Sequence, residues 1–330
     1  MLASRYDSSC TRYVVDWGHG AVVTNDWAAD VETRAGLQLD WRLSNQWSAT
    51  AQVTARTLKD QSLNLEWAYL SYEISPEWKL QVGRKRMPLY FYSDFQDVGY
   101  AYNTVRPSPD VYGWDVVNYN GASLSTSQNW GDWSVRAELY TGSENSKKNP
   151  YSRLFSDEPP DLRWSGITGM SVELNQDWFT ARLSYTRSNF DIRDRSSNQR
   201  VELFDGSTKA SQDFFGLALN ADWDAWQWRS EIGKARRMDA AGYDSSFYLV
   251  TLGRQFGDFT LTVGHSAYKE STDYPNDYTV VKLATTSLTL RYDVHKGGAL
   301  KLQFDRVRDR GNPVFTGAAR GLHVAYDLVF

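Results

Sequence analysis

Long runs of the chain alternate between apolar and polar residues with a period of two. From Val31 to Leu43 every second residue is apolar or small, and the residues between them are polar or glycine. A short turn at Ser44-Asn45-Gln46 follows, and the alternation resumes from Trp47 to Ala55. Such alternation predicts β-strands with one wet face. Two such runs across a tight turn predict a hairpin.

The same unit recurs along the whole chain. Short polar turns are expected at 44–46, 75–77, 129–132, 175–177, 224–225, 257–258 and 295–298. After six of them comes an aromatic residue on the apolar face: Trp47, Trp78, Trp133, Phe179, Trp226 and Phe259. Longer, more charged segments join the opposite strand ends. Short turns on one side and long loops on the other are typical of outer-membrane barrels, and aromatics at one strand end indicate an interfacial girdle.

Counting the alternating runs predicts about 16 antiparallel strands. They are 1–7, 31–43, 47–58, 63–74, 78–86, 114–126, 132–141, 162–174, 178–188, 212–223, 226–236, 246–256, 259–269, 281–294, 299–308 and 319–330. We therefore expect an all-β chain in which residues 1–330 form one barrel domain.

Composition limits the alternatives. The chain is 41% hydrophobic and 15% aromatic, and no run reaches the 18 or so apolar residues that a membrane helix needs. A net charge of -4 argues against a nucleic-acid partner. Cys10 is the single cysteine, so no internal disulfide or CxxC site is expected. Met1-Leu-Ala-Ser leads directly into polar sequence without a signal peptide, so the chain is either a mature or truncated form or cytoplasmic, and the strand pattern favours the first.

Alternation alone also fits a soluble sandwich, whose apolar face fills a core. Three observations favour a barrel in lipid. The strands are about ten residues long rather than about five. Their apolar face is rich in Ala, Leu and Val, with rings near the ends. The last strand places Leu322, Val324, Tyr326, Leu328 and the terminal Phe330 on one face.

One long segment breaks the alternation. Between Gly83 and Gly113 the sequence is rich in rings and short carboxylates. Its notable side chains are Tyr90, Phe91, Tyr92, Asp94, Phe95, Asp97, Tyr100, Tyr102, Arg106, Asp110 and Tyr112. A loop longer than about 12–15 residues in a compact architecture is usually functional. Its rings are expected mainly to pack the loop against a wall, and stacking on sugars or ring-bearing solutes is the alternative.

Strict parity assigns charged side chains to the polar, inner face. The cations are Arg34, Arg42, Arg56, Lys79, Lys85, Arg136, Arg163, Arg182, Arg229, Arg291 and Lys301. The acids are Asp40, Glu138, Glu173, Glu231, Asp293, Asp305 and Asp327. The excess of cations predicts a mild preference for anions. Parity places Arg254 on the apolar face, which predicts a β-bulge or a register error near it.

The strand number, turn asymmetry, girdle, terminal Phe330 and long loop after the fifth strand together resemble the Gram-negative porins. The resemblance covers the whole chain and implies an outer-membrane channel, usually trimeric, whose third external loop folds into the barrel. It implies that loop 87–113 forms the constriction, with Asp94 and Asp97 facing Arg34, Arg56 and Lys85. By the same resemblance Tyr326, Leu328 and Phe330 form the signal for the barrel-assembly machinery.

The expected function is therefore passive diffusion of small hydrophilic solutes or ions through a barrel embedded in outer-membrane lipid, without cofactor or metal. The proposed site joins loop residues Tyr90, Tyr92, Asp94, Phe95, Asp97, Tyr100, Tyr102, Arg106 and Asp110 to a basic wall of Arg34, Arg42, Arg56, Lys85, Arg136 and Arg182. One alternative is a ligand-binding channel or adhesin that takes sugars or aromatic solutes. The other is a barrel hydrolase, for which His19, His265, His295 and His323 are the histidines available. No P-loop, GxGxxG or HExxH motif is present, and we expect no enzyme activity.

Overall fold

The computed structural model describes residues 1–8, 13–58, 63–311 and 317–330. The strands are β1 Leu2–Ser8, β2 Tyr13–Asp16, β3 Ala21–Val23, β4 Arg34–Arg42, β5 Trp47–Arg56, β6 Leu63–Glu73, β7 Trp78–Arg86, β8 Asn118–Trp130, β9 Trp133–Ser146, β10 Asp161–Gln176, β11 Phe179–Arg193, β12 Ala210–Trp223, β13 Trp226–Arg237, β14 Tyr243–Phe256, β15 Phe259–Ser271, β16 Lys282–His295, β17 Gly298–Asp309 and β18 Ala319–Leu328. Short 3₁₀ turns lie at Ser93–Phe95, Gly99–Ala101 and Tyr151–Leu154, and one α-helical turn, α1, at Met238–Ala241. In the described parts of the chain, no helix has the length and apolar character to cross a membrane.

Sixteen of the strands form one antiparallel sheet in chain order. Its order runs from β4 to β18, and β18 then pairs with β1, so that Leu2 lies opposite Ala325. The predicted 16-stranded all-β fold is confirmed. Strands β2 and β3 form a separate hairpin in the first loop, which the sequence pattern did not reveal because each strand is only three or four residues long.

The two ends of the sheet, β1 and β4, are not joined by a ladder within the described ranges. The segment that precedes β4 lies along the free edge of β1 instead. The backbone of Ser4 donates to Ala28 O at 3.0 Å and accepts from Ala28 N at 2.9 Å. Leu2 N donates to Thr33 Oγ1 at 3.3 Å. Residues 24–33 therefore cover the seam.

The outer face of the sheet carries the exposed apolar side chains. Leu37, Leu139, Val263 and Leu302 are between 47% and 60% exposed, which a water-soluble protein would not tolerate over so large a contiguous area. The six aromatics predicted for the girdle are each the first residue of a strand. Trp47 packs on Tyr72 with ring centroids 4.8 Å apart, and Phe259 on Tyr292 at 4.7 Å. The face therefore suits a lipid band bordered by rings at the turn end.

Three details of the predicted strands were wrong. Strand β8 begins at Asn118, so the long loop runs from Met87 to Val117. The register of β14 is continuous at Arg254, which faces outward and lies over the rings of Trp226 and Phe256 at 4.9 and 5.0 Å. A girdle ring thus accommodates the charge, and no bulge is needed.

The third error concerns Arg163. Register shifts occur in β10 between Trp164 and Thr168. This irregularity reverses the parity beyond it, so Trp164 is buried inside and Arg163 is exposed. Cys10 lies outside the described residues.

Candidate functional site

The loop from Met87 to Val117 lies inside the barrel and bonds to strands on its far side. Leu89 O accepts from Ser184 Oγ on β11 at 2.6 Å, and Phe91 N donates to Glu231 Oε2 on β13 at 3.0 Å. Val105 N donates to Gln303 Oε1 on β17 at 3.0 Å. The loop therefore crosses the lumen as a bridge.

Aromatic rings hold the first part of this bridge. Tyr90 is 4% exposed and packs against Tyr112, Phe214 and Phe247, with ring centroids 4.5 to 5.8 Å apart. The Tyr112 hydroxyl donates to Glu231 and accepts a hydrogen bond from Tyr92 N at 3.0 Å. Burial raises the pKa of Tyr92 to about 12, so its phenol stays neutral. Phe91, Tyr92 and Phe95 pack edge to face and are half-buried. Tyr90 and Tyr112 therefore anchor the loop, while Phe91, Tyr92 and Phe95 keep part of their ring surface exposed.

Asp97 is the centre of the densest charge cluster. Its carboxylate lies 2.9 Å from Arg56, 2.8 Å from Arg86 and 3.4 Å from Arg34. Glu66 is the second acid, 2.7 Å from Arg86 and 3.3 Å from Arg56. Burial alone would raise the pKa of Asp97, but the three guanidinium groups outweigh it and hold the pKa well below its ordinary value. The cluster ties the loop to β4, β5 and β7.

Asp94 occupies a different place from Asp97. It lies 3.5 Å from Arg182 on β11, and its side chain is 50% exposed. Lys85, expected opposite these acids, bonds instead to Glu138, Gln81 and Ser123. The expectation that both loop acids face Arg34, Arg56 and Lys85 is therefore wrong for Asp94 and Lys85, because the loop passes between the two walls.

The remaining members of the predicted basic wall are Arg42, Arg136 and Arg182. Arg42 and Arg136 are exposed, and neither forms an ion pair within the described residues. Arg182 is buried, and besides Asp94 it donates to Phe91 O at 3.2 Å. Arg42 is the last residue of β4, next to a short turn. Among these three, the cations without an ion pair are therefore the two that make no bond to the loop.

Tyr100 and Tyr102 fix the middle of the loop to the last strands. Arg291 lies over the Tyr100 ring at 4.6 Å and donates to Tyr100 O at 2.9 Å. Lys301 lies 4.8 Å from the centre of the Tyr102 ring, and the Tyr102 hydroxyl accepts from Arg34 at 2.7 Å. Tyr102 therefore connects opposite ends of the sheet, β4 and β17.

Asp110 and Arg106 are buried anchors rather than lining groups. Asp110 is 1% exposed and accepts from Ser266 Oγ at 2.7 Å. Burial raises its pKa, because one hydroxyl does not replace water around a carboxylate. Arg106 bonds to Glu32 at the seam, to Ser4 on β1 at 2.9 Å and to His323 on β18 at 3.1 Å.

The same corner contains the three residue types of a hydrolase triad. His323 Nδ1 lies 2.8 Å from Ser4 Oγ, and its Nε2 lies 3.1 Å from Asp305. Ser4 and His323 are both 0% exposed, so no substrate carbonyl reaches the hydroxyl. The Ser4 hydroxyl also donates to Glu32 at 2.9 Å and accepts from Arg106. The geometry fits a structural network that joins both chain ends to the loop.

Two cavities flank the loop. One, of about 420 Å³, lies toward β6 to β11 and is lined by charged groups that include Lys79, Lys85, Asp94, Arg136 and Glu138. The other, of about 250 Å³, lies between residues 101–109 and the wall of β13 to β17. Its wall is mainly hydroxyl and amide groups, including Gln227, Thr251, Thr260, Thr262 and Ser287. Arg106, Arg229, Arg291, Asp293 and Asp305 also line this second cavity. The loop thus separates a passage lined mainly by charged groups from one lined mainly by hydroxyl and amide groups.

Sequence reasoning missed Arg86 and Glu66, the two wall residues that complete the Asp97 cluster. Strict alternation assigns Lys85, and not its neighbour, to the lumen. Arg86 is the last residue of β7, where the chain leaves the wall and Met87 N donates to Val117 O at 2.7 Å. Glu66 lies at the register shift of β6. Three basic residues in a row, 84–86, were the available signal.

A barrel whose apolar band faces outward and whose polar lumen holds an inserted loop is an outer-membrane channel fold. Comparison with solved structures agrees. Over 99% of this chain and 94% of the other, it matches the outer membrane channel DcaP of Acinetobacter baumannii with a TM-score of 0.63 at 11% identity. It matches the anion-selective porin from Comamonas acidovorans with a TM-score of 0.61 at 12% identity, over 100% and 96% of the two chains. For the trimer form of OmpT, an outer membrane protein of Vibrio cholerae, the TM-score is 0.59 at 7% identity, over 100% and 97%.

Neither the comparison with family models nor that with curated protein sequences gave a match. At these identities the solved structures define the fold. The chain has the fold of the Gram-negative outer-membrane porins, as the sequence resemblance predicted.

Proposed function

We propose that the protein is a passive diffusion channel for small hydrophilic solutes and ions, narrowed by the loop 87–117. The observation that carries this proposal is the position of the loop. It bridges the lumen by bonds to β11, β13 and β17 and leaves polar cavities beside it. A plug with no function in passage would not need a wall of charged side chains along the remaining space.

The charged passage supports a transverse electric field. Asp94 on the loop and Glu138 on β9 lie in the same cavity as Lys85, Arg136 and Arg182. Opposed charges on low-dielectric walls orient water and dipolar solutes. Arg42 and Arg136 add exposed positive charge, and neither forms an ion pair with an acid in the described chain. We therefore propose a mild preference for anions.

Conductance in planar bilayers tests this function. We expect stepwise, ohmic openings and a reversal potential in a KCl gradient that favours chloride. Arg136→Gln should move the reversal potential toward cation preference. Arg254→Gln is the control, because that side chain faces outward at the girdle. A membrane that stays closed at every voltage would contradict the channel proposal, and an unchanged reversal potential would contradict the role of Arg136.

The hydroxyl and amide groups of the second cavity favour a second function, binding of an uncharged polyhydroxylated solute during passage. Arg291, at its edge, is already paired with Asp293 at 2.7 Å. Thr262 is 3% exposed, and its hydroxyl has no hydrogen-bond partner within the described residues. The lack of a side chain at Gly264 leaves room in this cavity, because a Cβ there would lie only 2.6 Å from Ser287 Oγ. A volume of about 250 Å³ holds about eight waters at about 30 Å³ each, which a monosaccharide could replace.

Current noise and block by neutral sugars test this second function. In the wild type, added glucose should produce brief closures whose frequency saturates. Thr262→Val keeps the shape but removes the hydroxyl, and should weaken the block while the KCl conductance stays the same. Thr168→Val, exposed on the outward face of β10, is the matched control. Equal block in both variants, or no block by glucose, arabinose or mannitol, would reject the sugar site.

We also propose a homotrimer, which the porin resemblance suggests and a trimer form of one structural neighbour supports. The outward face of β5 carries Ala49, Ala51 and Ala55, a smooth surface that another barrel wall can approach. Light scattering of the detergent-solubilised protein tests this, and conductance steps in groups of three would agree with it. A monomer at all concentrations would contradict it.

A further inference from the structure

The outer surface carries a patch of cations at the loop end of β15 to β18, which we call the outer cation patch. Its members are Lys269, Lys282, Arg306, Arg308 and Arg320. Lys282 is half-buried and the other four are exposed. Their neighbours in sequence, such as Val307 and Ala319, are buried inside. The patch therefore faces away from the lumen and has no part in the passage of solutes.

Like charges lie directly opposite each other in this patch. Arg306 pairs with Arg320 across β17 and β18, and Lys269 pairs with Lys282 across β15 and β16. Like charges directly opposite destabilise a sheet. Within the described residues none of the five forms an ion pair, and Asp7, opposite Arg320, is the acid nearest in register. The undescribed residues 312–316, Asn-Pro-Val-Phe-Thr, contain no acid.

The patch begins where the apolar band ends. Along β17 the outward residues Leu300, Leu302 and Phe304 are 42% to 47% exposed, and the next outward residue is Arg306. At about 3.4 Å per residue, Arg306 lies about 7 Å beyond Phe304 along the strand. If the outward apolar side chains define the acyl layer, Arg306 lies at its border. A recess of about 410 Å³, lined by Asp7, Arg306, Arg308 and Arg320 among others, opens there.

We propose that the outer cation patch binds the phosphate groups of a membrane lipid in the outer leaflet. Guanidinium groups bind phosphate in a bidentate manner. A bridging phosphate would convert the repulsion between Arg306 and Arg320 into two charge-assisted pairs. The apolar band beside it would hold the acyl chains of the same lipid. A free phosphate ion would gain only the first of these contacts.

The same wall provides a matched control. Lys234 and Arg236 on β13 are also exposed, outward-facing and near the loop end. Arg236, however, lies opposite Asp213 on one side and Asp244 on the other. Lys234 lies opposite Phe215 and Ser246. Neither cation therefore lies directly opposite a like charge, so this pair should not require a lipid phosphate.

The test uses the full chain refolded in phosphatidylcholine nanodiscs, with or without bis-phosphorylated lipid A, and counts retained lipid by native mass spectrometry. We expect Arg306→Gln/Arg320→Gln to retain lipid A about tenfold less well or worse, since each basic residue near an anionic surface contributes about 1 kcal/mol. Lys234→Gln/Arg236→Gln should retain lipid A like the wild type. With fully dephosphorylated lipid A, all three proteins should retain the same, lower amount of lipid. Equal retention by both double variants would overturn the proposal, as would full displacement of lipid A by 10 mM inorganic phosphate.

Thermal unfolding gives a second readout that does not depend on lipid retention. In phosphate-free detergent the Arg306→Gln/Arg320→Gln variant should be at least as stable as the wild type, because repulsion is relieved. Addition of lipid A should raise the midpoint of the wild type but not that of this variant. A variant that is less stable in both conditions would show that the arginines serve packing instead, and would overturn the proposal.

Discussion

Asp97 of the inserted loop lies 2.9 Å from Arg56 of the barrel wall. Arg86 and Arg34 approach the same carboxylate from β7 and β4. One acid thus holds three strands and the loop together. A buried acid with three cationic partners is costly to remove, because the cations stay behind without compensation.

Replacing Asp97 by Asn should loosen the loop and leave uncompensated positive charge. Removing one partner of a buried ion pair costs about 3–5 kcal/mol. We expect a larger, noisier conductance and a reversal potential moved toward anions. Asp94→Asn is the control. Asp94 is half exposed and lies 3.5 Å from Arg182, so the effect of its replacement should be small. Equal effects of the two changes would contradict the central role of Asp97.

The ion pairs of Asp97 should also keep their stabilising effect at mildly acidic pH. The pKa of Asp97 lies well below its ordinary value, so its contribution to stability is complete above the pKa of an unfolded aspartate, about 3.9, and is lost only as pH falls through the lower folded value. Conductance should therefore stay steady from pH 7 to about pH 4. An opening transition near pH 5 would contradict this.

The contribution of Asp110 to folding stability should depend on pH in the opposite sense to that of Asp97. Its folded pKa is raised by burial, so the folded state binds more protons than the unfolded state and stability falls as pH rises from the unfolded to the folded value. Asp110→Asn mimics the protonated form. We expect it to raise the unfolding midpoint at pH 7.5 and to flatten the dependence between pH 4 and 7.5. The mobility shift of the heated barrel on gels measures this, and a destabilised variant at pH 7.5 would contradict it.

Tyr112→Phe should release the loop from β13. The Tyr112 hydroxyl bonds to Glu231 and to Tyr92 N, and a buried polar group left without its partner costs about 1–3 kcal/mol. We expect rapid current flicker as the loop undocks. Tyr100→Phe is the control, because the Tyr100 ring, which Arg291 covers, remains. Flicker in both variants would show a general effect of altering the loop.

Arg237→Gln should destabilise the outer end of the barrel. Arg237 bonds to Asp115 at 2.9 Å and lies over the rings of Trp114, Phe190 and Tyr243. The loss should be about 3–5 kcal/mol. Adding Asp115→Asn should restore part of it, since the uncompensated acid disappears. An additive double variant would show that the two groups are not coupled.

Sequence patterns predicted the barrel well because its physics is local. A strand between lipid and water must alternate apolar and polar residues, and a tight turn must follow it. The 16 strands and the girdle positions such as Trp47 could therefore be found residue by residue. Errors arose where alternation is interrupted. The irregularity between Trp164 and Thr168 reversed the side of Arg163, and the last residue of β7, Arg86, turned inward with the loop.

The contacts of the site depend on distances in space that alternation does not contain. Nothing near Asp94 in sequence indicates Arg182, which lies on the other side of the barrel. The network of Ser4, His323 and Asp305 joins residues from the two ends of the chain. A single sequence gives the face on which a residue lies, but it does not give the path of a loop across a lumen.

The seam has a consequence for the order of assembly. Since β1 pairs with β18, the barrel cannot close until the last strand has been made, and contacts of such long sequence separation form slowly. Arg106 bonds to Ser4, His323 and Glu32 together, so the loop finds its full set of partners only after both chain ends have met. An incomplete barrel would therefore lack a docked loop, and the narrow passage itself would mark a finished molecule.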